Sequence, residues 1–153
     1  MHRILLLAGA LLALVPGCRA EPVASAQAEA PALVPLTIDT RHGQRTFRVE
    51  VARTGLQQER GLMFRTSLPD RGGMIFPLTP SRPATFWMKN TPLPLDIIFI
   101  RADGTIARIA ARTTPYSLDL IESGEPVAAV LEITGGGAEA AGIAEGDKVS
   151  WAD

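Results

Sequence analysis

Residues 95–111 read LDIIFIRADGTIARIAA. Two apolar runs, Leu95 to Arg101 and Thr105 to Ala111, flank Ala102-Asp103-Gly104-Thr105. Asp-Gly between β-branched runs is a strong short-range hairpin signal, because Gly accepts the positive φ that a tight turn needs. Outward from this hairpin the same grammar recurs. Strands are expected at 36–40, 46–53, 74–76, 85–89, 127–134 and 148–151, with turns at His42-Gly43 and Gly146-Asp147 and a three-proline loop from Pro77 to Pro83. Phe47, Val49 and Val51 alternate with Arg48, Glu50 and Ala52, the period of a strand with one face in a core. Eight short strands without an alternating β-α rhythm predict a mainly β fold, a single compact β-sandwich or barrel with one or two short helices.

Two short helices interrupt the strands. Thr54 and Gln57 have capping-box spacing, so a helix is expected from Thr54 to about Arg65, with Leu56, Met63 and Phe64 on its buried side. Gly61 within it suggests close packing on a strand. Gly135-Gly136-Gly137 leads into one helical turn, Ala138 to Ala141, stopped by Gly142 with Ile143 as its apolar cap contact.

The start of the chain is of another kind. Met1-His2-Arg3 precedes the apolar run Ile4 to Val15, which breaks at Pro16-Gly17. The run is too short for a span of ~20 residues and has the length of a signal-peptide core. Val15-Pro16-Gly17-Cys18 resembles a bacterial lipobox, and Cys18 is the sole cysteine. The expected organisation is a signal at 1–17, an Ala/Pro/Glu-rich linker at 18–35 and a β domain at 36–153. The expected address is the periplasmic side of the bacterial cell envelope, lipid-anchored through Cys18 or soluble in the periplasm.

Composition prunes the functions. Cleavage before Cys18 removes Arg3 and no acid, taking the net charge from −1 to −2. No basic run or aromatic-rich basic face speaks for nucleic acid. A monomer is expected. One histidine, His42, remains after the signal; no nucleophile elbow or zinc spacing is present, so no metal or cofactor is expected. Met63, Met74 and Met88 could form a soft copper(I) cluster, but core filling is the more economical role.

The chemically rich corner is Trp87 to Asp96. A hairpin centred between Pro92 and Leu93 would set Lys89 opposite Asp96. That pair reads either as a structural ion pair or as a binding site using Trp87, Lys89, Asn90 and Asp96, with Arg60 and Arg65 as further cations. A non-enzymatic ligand-binding or accessory module is the leading expectation, its partner a small ligand or an envelope component. The alternative is a hydrolase with a carboxylate site around Asp96, paired in principle with Glu132. Glu132 alternates with Leu131 and Ile133 and is expected to face solvent.

Four segments carry a resemblance: Glu59-Arg60-Gly61-Leu62-Met63-Phe64-Arg65, Gly73-Met74-Ile75-Phe76, Phe86-Trp87-Met88-Lys89-Asn90-Thr91, and Pro94-Leu95-Asp96-Ile97-Ile98-Phe99-Ile100. Val130-Leu131-Glu132-Ile133 and Ala141 to Val149 agree with them. Together they resemble the domain-of-unknown-function 192 family over residues 37–151. The resemblance implies a compact all-β domain of jelly-roll-like topology, often found behind signal peptides. It implies no activity.

Overall fold

The computed structural model describes residues 32–152. The expected signal, Cys18 and most of the expected linker lie outside the described residues. Seven strands are formed among them: β1 (Leu33–Thr40), β2 (Gly43–Val51), β3 (Gly72–Phe86), β4 (Leu95–Ile100), β5 (Ile106–Ala110), β6 (Ile121–Thr134) and β7 (Lys148–Trp151). Two short helices, α1 (Gly55–Arg60) and α2 (Gly137–Ala141), complete the set. The fold is mainly β, as expected. It is one curled sheet, a half-barrel, in the order β5-β4-β6-β3-β2-β1-β7.

The curl brings the two edges together. A bridge joins Thr105 to Lys148, the Ile106 amide donates to Asp147 (2.9 Å) and the Val149 amide donates to Gly104 (2.8 Å). Edge groups that would otherwise be open to another chain thus meet each other. All pairs are antiparallel except β2–β3, which is parallel, with α1 in its crossover. This parallel pair and the single sheet set the topology apart from a two-sheet jelly roll.

Local signals set the turns. Gly43 (φ 97°) and Gly104 (φ 86°) take the left-handed conformations of the two tight turns. Thr54 and Gln57 form the full capping box. The helix stops at Arg60, not Arg65, because Gly61 (φ 45°, ψ −131°) turns the chain out of it. No residue of α1 is buried: Leu56 and Phe64 are exposed, and Leu62 fills the core instead. Gly142 (φ 68°) stops α2, and Ile143 is buried beside it.

Three strands run longer than expected. Strand β1 begins at Leu33, inside the expected linker. The proline segment 77–83 lies within β3, where register shifts against β6 accommodate residues that cannot donate. β3 then ends at Phe86, so Trp87 to Asn90 form no strand. β6 starts at Ile121, six residues ahead of the expected Val127.

The core has two parts, one on each face of the central strands. One gathers side chains from all seven strands, including Leu36, Phe47, Ile75, Ile98, Ile106, Leu131 and Val149, with Ala138 of α2. The other covers the opposite face of β3, β4 and β6: Met74, Phe76, Ile97, Phe99 and Val130 pack under Leu62 and Met88. Strand β4 is therefore buried along its whole length, which explains the apolar run Ile97 to Ile100. Met74 and Met88 are core residues.

Asp96 is the polar exception within β4. Its strand pairs with β5 and β6, not with residues 85–89, so the expected Lys89–Asp96 pair does not form. The buried carboxylate accepts from the backbone amides of Arg112 (2.7 Å), Gly136 (2.9 Å) and Ala138 (2.8 Å). The glycine run and the start of α2 do cradle an anion, and it is the chain's own. Asp96→Asn places an amide among these donors and is expected to cost on the order of 3 kcal/mol. Urea denaturation should show the loss, and amide exchange should quicken at Gly136 and Ala138.

Candidate functional site

Outer-face residues align across four strands in the row Ile97 (β4), Glu132 (β6), Met74 (β3) and Glu50 (β2). Glu132 thus points away from Leu131 and Ile133, as alternation demands. The face it enters is not wet. Segment 61–63 and residues 87–91 lie over it, and Glu132 is only 5 % exposed. This overturns the expectation of a solvent-facing Glu132: both faces of the central strands are covered.

A cleft of about 620 Å³ opens above this acid. Phe76 and Glu132 line its deeper part with Leu62 and Leu78; α1 contributes Gln58, Glu59 and Arg60, and the far side carries Arg82, Phe86, Trp87 and Lys89. Gly61 is needed where the α1 cap crosses the floor. A Cβ there would sit 3.3 Å from Phe76 Cζ and 3.8 Å from Glu132 Oε2, at a φ that L side chains rarely adopt.

Among the described residues nothing donates a hydrogen bond to the Glu132 carboxyl. Burial alone pushes it up from 4.5 to about 8. An ionisable group so shifted in a cleft marks a candidate site. The rim is cationic. Neither the Arg60 nor the Arg82 side chain has an ion-pair or hydrogen-bond partner among the described residues. The Lys89 ammonium lies 5.0 Å from the Trp87 ring centroid, a cation–π contact, and Trp87 is 45 % exposed.

The backbone beside the rim is strained. Phe64 (φ 64°) and Tyr116 (φ 61°) take left-handed conformations unusual for such residues, and Asn90 (φ 55°), which tolerates that region, takes it as well. Hydrogen bonds knit them together: the Phe64 amide donates to Asn90 (2.8 Å) and the Tyr116 amide to Thr91 (3.1 Å). Both aromatic rings are largely exposed.

A second groove, about 770 Å³, runs between Phe47, Pro69 and Ala140. Its Arg45 is already committed to the Ala141 carbonyl (2.8 Å), and it holds no buried charge.

The sequence profile of the domain-of-unknown-function 192 family (DUF192, uncharacterized ACR) matches residues 37–151. The chain belongs to this family. No curated protein shows significant similarity to it. Two solved structures resemble this DUF192 chain closely. One, from Novosphingobium aromaticivorans DSM 12444, is a protein of unknown function with 46 % identity and a TM-score of 0.77, covering 87 % of this chain and 91 % of its own. The other, from Sinorhizobium meliloti 1021, is described as a proposed transcription regulator; it has 39 % identity and a TM-score of 0.77, covering 80 % of this chain and 95 % of its own.

Of the residues singled out by sequence, Arg60, Trp87 and Lys89 line the DUF192 cleft together. Arg65 does not: it forms a two-pronged ion pair with Glu50 (2.5 and 2.7 Å). Asn90 is turned aside, its amide nitrogen 3.9 Å from Met63 Sδ. Asp96 lies on the opposite face, spent on three backbone amides. Sequence reading passed over Arg82, Phe76 and Phe86, and it named Glu132 only as a solvent-facing partner for Asp96. A single acid within the apolar run Val127 to Ile133 was the available signal for Glu132.

The raised Glu132 carboxyl makes stability fall with pH. The folded chain holds this proton more tightly than the unfolded one, so its contribution is full below about 4.5. It declines as pH rises towards about 8 and is flat above. The wild-type protein should lose a few kcal/mol across this window through Glu132, and Glu132→Gln should lack that component. Urea midpoints of both proteins at pH 5, 6.5 and 8 measure the difference; parallel slopes would refute the assignment.

Proposed function

We propose that this DUF192 protein is an exported cell-envelope module, held at the membrane by a lipid on Cys18, that binds a small ligand in the cleft over Glu132 without transforming it. One observation carries the binding reading: a buried carboxyl with no protein partner at the floor of an open cleft. Such a group is costly to the fold unless something meets it. The aromatic wall and the cationic rim supply further contacts, and the cleft's size suits a small molecule.

The non-catalytic part rests on what surrounds Glu132. No His, Cys or Ser lines the cleft. Asp96, the acid around which a hydrolase could be imagined, pairs with Ile133 in register and so projects from the other face of the sheet. The two carboxyls cannot flank one bond. The envelope address rests on the basic start, the short apolar run and the lipobox-like Val15-Pro16-Gly17-Cys18.

Fragment screening of the mature chain carrying Cys18→Ser, read by amide and indole NMR shifts, tests the binding site. Small aromatic and charged fragments should move the signals of Gly61, Leu62, Trp87 and Lys89; a cleft silent to every fragment refutes it. In cells, Cys18→Ser should abolish fatty-acid labelling and release the protein from the membrane fraction. Unchanged labelling would remove the lipid anchor from the proposal.

A further inference from the structure

The cleft's three kinds of contact narrow the chemistry of what can occupy it, given that it is a binding site. Glu132 is the first. Its neighbours in the row, Met74 and Ile97, are apolar, and Glu50 one strand further is neutralised by Arg65. The charged groups that share the cleft with it are Glu59, Arg60, Arg82 and Lys89. None of these four ion-pairs with it. The second is the apolar wall of Leu62, Phe76 and Phe86, beside Trp87. The third is the cationic rim, where three cations outnumber the one acid Glu59.

Each simple ligand fails on one of these. A plain cation meets Glu132 but must pass the cationic rim. A plain anion suits the rim but can only accept the one hydrogen bond of the protonated carboxyl, whose other oxygen it leaves without a donor. A neutral apolar molecule leaves both unmet. We infer that the cleft takes a zwitterion with an apolar body, its ammonium on the Glu132 carboxylate and its acidic group on Arg60, Arg82 and Lys89. An ammonium offers three donors to two carboxylate oxygens and gains from the nearby aromatic faces. The flat apolar body lies against Phe76, Phe86 and Trp87.

This assignment has a proton signature. In the free protein burial holds the carboxyl up to about 8, so at pH 7 most molecules carry the proton. An ammonium ligand is already charged and keeps its own protons. Forming the ion pair therefore expels the carboxyl proton to the buffer.

Titration calorimetry of the mature chain with Cys18→Ser tests this at pH 7 with three probes: L-phenylalanine, phenethylamine and 3-phenylpropionate. L-Phenylalanine should bind best, and loss of either charged group should weaken binding roughly 10-fold or more. Its apparent enthalpy should differ between phosphate and Tris in the sense of proton release, by most of one proton per ligand. Glu132→Gln should abolish that release and bring L-phenylalanine down to the level of 3-phenylpropionate. If 3-phenylpropionate binds as tightly as L-phenylalanine, or binding releases no proton, the zwitterion assignment falls while the cleft remains a binding site. If none of the three binds, the assignment falls as well, and the NMR fragment screen decides separately whether the cleft binds anything.

Discussion

Strand β6 is paired on both sides, with β3 and with β4, and that double pairing fixes which way each of its side chains points. Leu131 and Ile133 enter the core enclosed by the curled sheet. Glu132, between them, must enter the other face. A slip of one residue would push the acid into the enclosed core and expel two aliphatic side chains from it, so the register is strongly specified. The curl matters equally. Because β5 and β7 meet, the sheet packs its concave side on itself, and the segments after α1 and β3 are left to cover the outer side. The cleft is the gap left in that cover.

Two buried acids near the same end of the sheet show opposite solutions to one problem. A carboxylate removed from water needs donors or a proton. Asp96 obtains three backbone donors from loops that it thereby holds in place. Glu132 obtains none and keeps its proton instead. The first is a structural part in the strict sense: its partners are all backbone and all internal. The second gives the fold nothing comparable, which is why it directs attention to something outside the chain.

Features legible in the sequence were local ones. The Asp103-Gly104 turn, the Thr54–Gln57 capping box and the Gly142 stop each depend on a few neighbouring residues, and each forms as read. Enough strand signals survived to give a mainly β fold. What escaped depends on distant partners. The β2–β3 parallel pair needs a crossover whose direction no local residue states. Prolines 77, 80 and 83 read as a loop because they lack an amide proton, yet β3 absorbs them through register shifts against β6. A Lys89–Asp96 hairpin was plausible only while β4 had no other partners. Glu132 read as wet because alternation gives the face of a side chain and says nothing about what covers that face.

The turns beside the cleft are not those that stability alone would choose. Phe64 and Tyr116 hold bulky rings in left-handed backbone conformations and leave those rings in water, an arrangement costly in strain and without compensating burial. Asn90, between them in the hydrogen-bond chain, shares the conformation. A fold selected for stability alone would place glycine at these turns and an apolar residue at position 132. Natural sequences break local rules chiefly where a site demands it. Here the unpartnered acid and the Arg60 and Arg82 cations share one cleft, and three of the five left-handed non-glycine turns lie beside it, which is where a ligand would repay them together.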